Sequence, residues 1–164
     1  MKKISNNKWI FINLVIAVVI TLLILLLPIV IFKDEINGID FSLTGFQIIF
    51  GNPTGEFTFS VLGFLMLLAL LGAIALSFNQ KKKFIIGAGA LLLFVGIVLV
   101  LARYAFVIHP EFLAYLESET SVPAASWREM FQETLEYPLQ TRGLIVIVFS
   151  LALSYLLSVN KLKA

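Results

Sequence analysis

One apolar run, residues 84–108, places the strongest constraint on this chain. It contains a single charged residue, Arg103, and it directly follows Lys81, Lys82 and Lys83. At a helical rise of about 1.5 Å per residue, the run predicts a helix of about 37 Å, which exceeds the roughly 30 Å hydrocarbon core of a bilayer. The sequence therefore predicts a membrane-spanning helix here.

The composition supports a membrane protein. Hydrophobic residues make up 60% of the 164 residues and charged residues 13%, whereas about a quarter of the residues in a soluble domain are charged. The absence of cysteine excludes disulfides, thiolate metal sites and cysteine nucleophiles. Nucleic-acid binding is not predicted, because the basic residues occur in short clusters that flank apolar runs. Richness in Ile, Leu, Phe, Lys and Asn indicates a bacterial source.

Three further apolar runs lie at residues 9–32, 57–78 and 143–160. Together with residues 84–108 they predict an all-α integral membrane protein, in which the whole chain forms one bundle of four transmembrane helices. The first run is longer than the roughly 7–15 residues typical of a signal peptide, so an uncleaved helix is predicted. Pro28 predicts a kink near the end of that helix, because proline removes a helical hydrogen bond.

Two long loops, residues 33–56 and 109–142, separate the runs. Apolar and polar residues alternate over residues 39–44, which predicts a short strand followed by a turn of interfacial helix. In the second loop, Ser126 and Glu129 have the spacing of a capping box. The residues that follow predict a short amphipathic helix with Ser126 as its N-cap, too short to span a bilayer.

The distribution of charge predicts the orientation in the membrane. Eight lysines and no acidic residue fall on one side of the predicted spans: Lys2, Lys3, Lys8, Lys81, Lys82, Lys83, Lys161 and Lys163. The other side has three basic residues and all ten carboxylates. The positive-inside rule therefore predicts a multi-pass protein of the cell membrane with both termini in the cytoplasm and both long loops outside.

Arg103 is the one charge inside a predicted span, and it shares a helix face with Gly89 and Gly96 because the three are spaced by seven. The favoured interpretation is structural: Arg103 reaches the outer interface or pairs with an outer-loop carboxylate such as Glu111. A ligand or ion role is the alternative. His109, the single histidine, is interpreted as an interfacial residue rather than a metal ligand. No metal site or cofactor is predicted.

Polar residues are rare in the other spans. Asn13 and Thr21 lie in the first span, and Ser150, Ser154 and Ser158 recur every four residues in the last. Such residues allow close approach and hydrogen bonding between helices. They are therefore predicted to be packing contacts rather than the lining of a pore.

No catalytic motif was found, so the predicted function is that of a non-catalytic accessory, scaffold or interaction subunit. Its outer loops are rich in aromatic residues, and they are predicted to bind another membrane protein or a second copy of the chain. The predicted binding residues are Phe41, Phe46, Phe50, Trp127, Met130 and Phe131. The alternative is a small oligomeric transporter or channel that uses Arg103 and the small-residue helix faces. A third hypothesis is an enzyme acting on lipid or peptide at the outer leaflet, with Arg103 holding a phosphate.

Overall fold

The structure, a computed structural model, describes residues 6–34, 39–51, 60–105, 113–114, 117–118, 121–127, 129, 139–159 and 162. The described chain is mostly helical. In chain order its elements are α1 (Asn6–Leu26), β1 (Pro28–Asp34), β2 (Ile39–Thr44), α2 (Gly45–Phe50), α3 (Val61–Ser77), α4 (Lys82–Ala105) and α5 (Leu139–Ser158).

Three of the helices, α1, α4 and α5, are long and apolar enough to cross a membrane. The fourth apolar helix, α3, has 17 residues. The apolar helices are therefore compatible with insertion into a membrane. The predicted spans at residues 57–78 and 84–108 each extend beyond the described helix, because residues 57–59 and 106–108 lie outside the described part of the chain.

The four apolar helices pack in a ring. Helix α4 contacts α3 and α5, and α1 contacts the same two helices, so α1 and α4 lie on the diagonal. Each helix contributes fully buried apolar side chains to the centre, such as Ile20, Met66, Leu92 and Val148. Large apolar side chains are also exposed on the outside of the ring, as expected where lipid rather than water surrounds the helices.

Glycines bring α4 and α5 close together. A Cβ atom added to Gly96 would lie 2.9–3.0 Å from the ring of Phe149, and one added to Gly89 would lie 3.1 Å from the side chain of Leu156. These two contacts run in opposite directions along the chain, so the two helices are antiparallel. The glycine face predicted for close packing is therefore the face that contacts α5.

The end of α1 corrects the predicted span at residues 9–32. The helix ends at Leu26 instead of bending at Pro28, and Pro28–Asp34 forms a strand. Proline has no N–H to donate to the Ile24 carbonyl, and the β-branched residues that follow it favour a strand. The strand predicted at Ile39–Thr44 is present, and β1 is its antiparallel partner.

The hairpin of β1 and β2 is fixed to α5 by Thr141. The strand register is irregular between Pro28 and Val30, which leaves Ile29 at the bulge. The buried Thr141 hydroxyl donates a hydrogen bond of 2.6 Å to the carbonyl oxygen of Ile29. The first turn of α5 therefore holds the hairpin against the end of the bundle.

The second long loop is described only in short pieces. Residues 124–127 form a helical turn, in which the backbone N–H groups of Ser126 and Trp127 donate to the carbonyl of Pro123. The turn thus begins before Ser126, which lies within it rather than at the predicted N-cap position. Most of the predicted amphipathic helix lies outside the described residues.

Candidate functional site

Helix α2 is a single short helix whose start is fixed by a capping box. The N–H of Gln47 donates to the Thr44 hydroxyl at 3.3 Å, and the N–H of Thr44 donates to the Gln47 side-chain oxygen at 2.9 Å. The helix ends at Phe50, and the C-cap residue Gly51 has a φ of 86°, which suits glycine. The signal for this box is present in the sequence as a threonine followed three residues later by a glutamine.

One side of α2 is seated on the bundle. A Cβ on Gly45 would overlap the carbonyl oxygen of Ile24 in the last turn of α1. Ile48 and Ile49 are buried, and Ile49 lies close enough to α3 for a Cβ on Gly63 to approach its side chain to 3.1 Å. The Ile49 carbonyl also accepts a hydrogen bond of 3.1 Å from the N–H of Ser60. This side of α2 is therefore held by both α1 and α3.

The other side of α2 carries an exposed aromatic pair. The Phe46 side chain is 54% exposed and the Phe50 side chain 44% exposed, and their ring centroids are 4.9 Å apart. Residues four apart lie on the same face of a helix, so the two rings form one continuous surface. The aromatic pair, Phe46 and Phe50, is thus displayed outward from a helix that is fixed on its opposite side.

The remaining predicted binding residues are not all part of this surface. Phe41 lies in β2 opposite Phe32. The Trp127 side chain is fully buried, so its ring packs inside the protein and is not exposed to a partner; this corrects its predicted place in the binding surface. Met130 and Phe131 lie outside the described residues.

The predicted ligand or ion-pair residues are only partly described. The backbone at Arg103 belongs to the last turn of α4, whereas His109 and Glu111 lie outside the described residues. In the described part of the chain, no group of three or more His, Cys, Asp or Glu side chains could hold a metal ion. No protein-family model, curated protein or solved structure matches the chain.

Polar side chains connect α5 to two other helices. The Ser154 hydroxyl accepts hydrogen bonds from the side-chain nitrogens of Trp9 and Asn13, both at 3.1 Å. The Tyr155 hydroxyl lies 2.8 Å from the Ser77 hydroxyl in α3. Asn13 and Ser154 therefore have the packing role predicted from the sequence.

The other polar residues of the spans bond within their own helices. Thr21 donates to the Ala17 carbonyl at 2.8 Å, and Ser150 and Ser158 donate to carbonyls four residues earlier at 2.7 Å. These bonds satisfy the hydroxyl groups without a partner helix. Of Ser150, Ser154 and Ser158, only Ser154 forms a hydrogen bond to another helix in the described part of the chain.

Proposed function

We propose that this chain is a non-catalytic accessory subunit of the cell membrane with four spanning helices, and that the aromatic pair on α2 binds a partner membrane protein. The observation that carries the proposal is the exposure of Phe46 and Phe50 on a helix fixed to the bundle. The proposal has two parts, a topology and a binding surface, and different residues support each.

The distribution of charge supports the topology. Lys8 lies beside the Trp9–Ser154 contact, and the exposed Lys81, Lys82 and Lys83 follow the end of α3 that contacts Tyr155. These lysines therefore share one end of the bundle, and the hairpin and α2 lie at the other. By the positive-inside rule, the lysine end faces the cytoplasm and the aromatic pair faces outward.

Helix α3 fits as a fourth span. Its 17 residues extend about 26 Å, slightly less than the roughly 30 Å hydrocarbon core. Its partner helices α1 and α4 are both long enough to cross, and α3 packs along them. A short span of this kind is accommodated by local thinning of the bilayer or by adjacent interfacial residues.

The geometry of α2 supports a binding role. Aromatic side chains bury a large apolar area and are enriched among the residues that dominate binding energy. The capping box and the contacts of Gly45 and Ile49 fix α2 before any partner arrives, so little conformational entropy is lost on binding. Because the pair lies beside the end of α1 and the start of α3, a second membrane protein is the partner that this surface fits best.

The test is recovery of a partner after light cross-linking and purification in mild detergent. We expect mass spectrometry to find a stoichiometric membrane protein with the natural chain and much less of it with a Phe46→Ala/Phe50→Ala variant. Phe78→Ala is the matched control, because Phe78 is 69% exposed in the turn at the opposite end. Recovery of the chain alone, or equal recovery with both variants, would contradict the proposal.

The alternative role as a transporter or channel stays a prediction. It requires Arg103, so Arg103→Leu should abolish flux into liposomes without unfolding the protein. Among the described helices, every buried polar side chain is hydrogen-bonded to a neighbouring group, and the other buried side chains at the centre of the ring are apolar; the polar ones are Asn13, Thr21, Ser77, Thr141 and Ser158. This observation favours the accessory role.

A further inference from the structure

One end of the bundle carries a group of exposed lysines. Lys8 lies in the first turn of α1, and Lys81, Lys82 and Lys83 lie where the turn after α3 leads into α4; all four side chains are exposed. We call these four residues the lysine surface. Every Asp and Glu of the chain falls within residues 34–56 or 111–136, so the segments that form this end contain no acidic side chain.

The charges of the lysine surface are not neutralised within the described part of the chain. None of its four ammonium groups forms a salt bridge there, and Lys83 contacts only the ring of Phe84, with its Nζ 5.1 Å from the ring centroid. A cation–π contact of this kind orders the side chain but leaves its positive charge in place. The four charges therefore repel one another until an anionic partner lies beside them.

The backbone spreads the lysines instead of directing them to one point. Helix α4 begins at Lys82, and the Lys81 carbonyl accepts hydrogen bonds from the N–H groups of Phe84 and Ile85 at 2.9 and 3.1 Å. Successive residues at 3.6 per turn point about 100° apart, so neighbouring lysine side chains leave the helix in different directions. This arrangement fits an extended negative surface better than it fits one small anion in a pocket.

Aromatic side chains at the same end indicate its depth in a membrane. Trp9 follows Lys8 and is partly exposed, and tryptophan is enriched at the interface between lipid and water. Phe78 is exposed three residues before Lys81. Lysine side chains beside such residues cover apolar surface with their methylene groups and extend the charge toward the headgroups. The lysine surface therefore lies at the depth of the phospholipid headgroups.

We propose that the lysine surface binds anionic phospholipid headgroups of the leaflet that it faces. Clusters of about four to eight basic residues beside a spanning helix are typical of proteins that bind anionic lipids. The complementary charge, the spread of the lysines and their depth all favour this partner. The proposal depends on insertion of the chain in a membrane, and it is independent of the aromatic pair on α2.

The test measures which phospholipid the purified full-length chain retains in mild detergent. The chain is exposed to an equimolar mixture of phosphatidylglycerol, which is anionic, and phosphatidylcholine, which is zwitterionic, and native mass spectrometry counts the bound lipids. We expect phosphatidylglycerol to be preferred at low salt and the preference to fall at high salt. Lys81→Gln, Lys82→Gln and Lys83→Gln should each lower the preference about fivefold, as expected for one lysine at an anionic surface.

Three variants serve as controls. Lys33→Gln is matched to Lys82→Gln, because it removes one positive charge from the hairpin at the other end, and it should leave the preference unchanged. A triple variant with arginine in place of Lys81, Lys82 and Lys83 keeps the charge and should also keep the preference. The Phe46→Ala/Phe50→Ala variant should retain it as well, so failure of this proposal is distinguishable from failure of the proposed partner-binding role.

Four results would overturn the proposal. Equal retention of the two lipids by the natural chain would do so, even if a glutamine variant failed to fold. An undiminished preference after all three glutamine substitutions, or an equal loss in Lys33→Gln, would also contradict it. The fourth is capture of an acidic protein segment by lysine-directed cross-linking in cells without any lipid preference in detergent, which would assign the lysine surface to a protein partner.

Discussion

The hydroxyl oxygens of Ser77 and Tyr155 lie 2.8 Å apart and join α3 to α5 in the interior of the ring. Ser77 donates its single hydroxyl proton to the Ala73 carbonyl at 2.6 Å, so Tyr155 must be the donor between the two hydroxyls. The pair is therefore asymmetric. Without Tyr155, Ser77 keeps a partner in its own helix, whereas without Ser77 the Tyr155 hydroxyl loses the acceptor shown here.

This asymmetry predicts unequal effects of two conservative substitutions. Tyr155→Phe should lower the free energy of unfolding by about 0.6 kcal/mol, the mean for hydrogen bonds between membrane helices. Ser77→Ala should cost more, about 1–3 kcal/mol, because it leaves a buried donor without its acceptor. Reversible unfolding in mixed micelles measures both. The double variant should resemble Tyr155→Phe, and equal effects of the two single variants would contradict the assignment of donor and acceptor.

The contact of Gly45 with the Ile24 carbonyl predicts that α2 does not accept a side chain at this position. Gly45→Ala should destabilise the protein by about 1–3 kcal/mol, as overpacking does, because backbone on both sides must move. Gly143→Ala is the control: no atom lies within 4 Å of its added Cβ, and alanine favours the α5 helix. Thermal unfolding measures the difference. A Gly45→Ala variant as stable as Gly143→Ala would show that α2 is not seated on α1.

The Thr141 hydrogen bond predicts that α5 controls the stability of the hairpin. Thr141→Val keeps the volume of the side chain but removes the donor to the Ile29 carbonyl. We expect a loss of about 1–3 kcal/mol and faster amide hydrogen exchange in β1 and β2. Thr21→Val is the matched control, because the Thr21 hydroxyl bonds within its own helix. In this variant the amide hydrogen exchange of β1 and β2 should be unchanged. Equal exchange in both variants would mean that other contacts hold the hairpin.

The proposed topology can be tested with single cysteines, because the chain has none of its own. Ser42 is exposed in the hairpin, and Asn79 is exposed in the turn between α3 and α4. We expect a membrane-impermeant maleimide to label Ser42→Cys in intact cells, and to label Asn79→Cys only after permeabilisation. Labelling in the reverse order would invert the orientation, and labelling of both in intact cells would contradict the single span, α3, that is proposed to separate the two positions.

The sequence predicts the apolar helices well because their signal is local. A long run without charge can satisfy its backbone hydrogen bonds in a membrane by forming a helix, and few other structures do so. The spacing of Gly89 and Gly96 identifies the close-packed face of α4. The strand at Ile39–Thr44 is also readable from its alternation. The order of the helices around the ring is not readable, since it depends on contacts between residues more than a hundred positions apart.

The errors have physical causes too. Residues 28–32 are as apolar as the helix before them, so hydropathy extends the span past Pro28; the strand depends on β2, which comes later in the chain. Trp127 is predicted at an exposed surface because the outer loops carry more aromatic residues than a connector needs, but its neighbours in space bury it. At the candidate site, the aromatic pair was predicted by residue type, whereas its fixed geometry depends on Gly45 and the capping box.

The junction between α1 and the hairpin consists of a single residue, Leu27, whose N–H still donates to the Leu23 carbonyl of α1. No slack segment separates the end of the helix from the first residue of the strand. The hairpin, with α2 following it directly, therefore couples α1 to the helices that also hold these elements. A rotation or tilt of α1 would not be absorbed at this junction, and it would strain the contact of Ile49 with α3 and of Thr141 with Ile29.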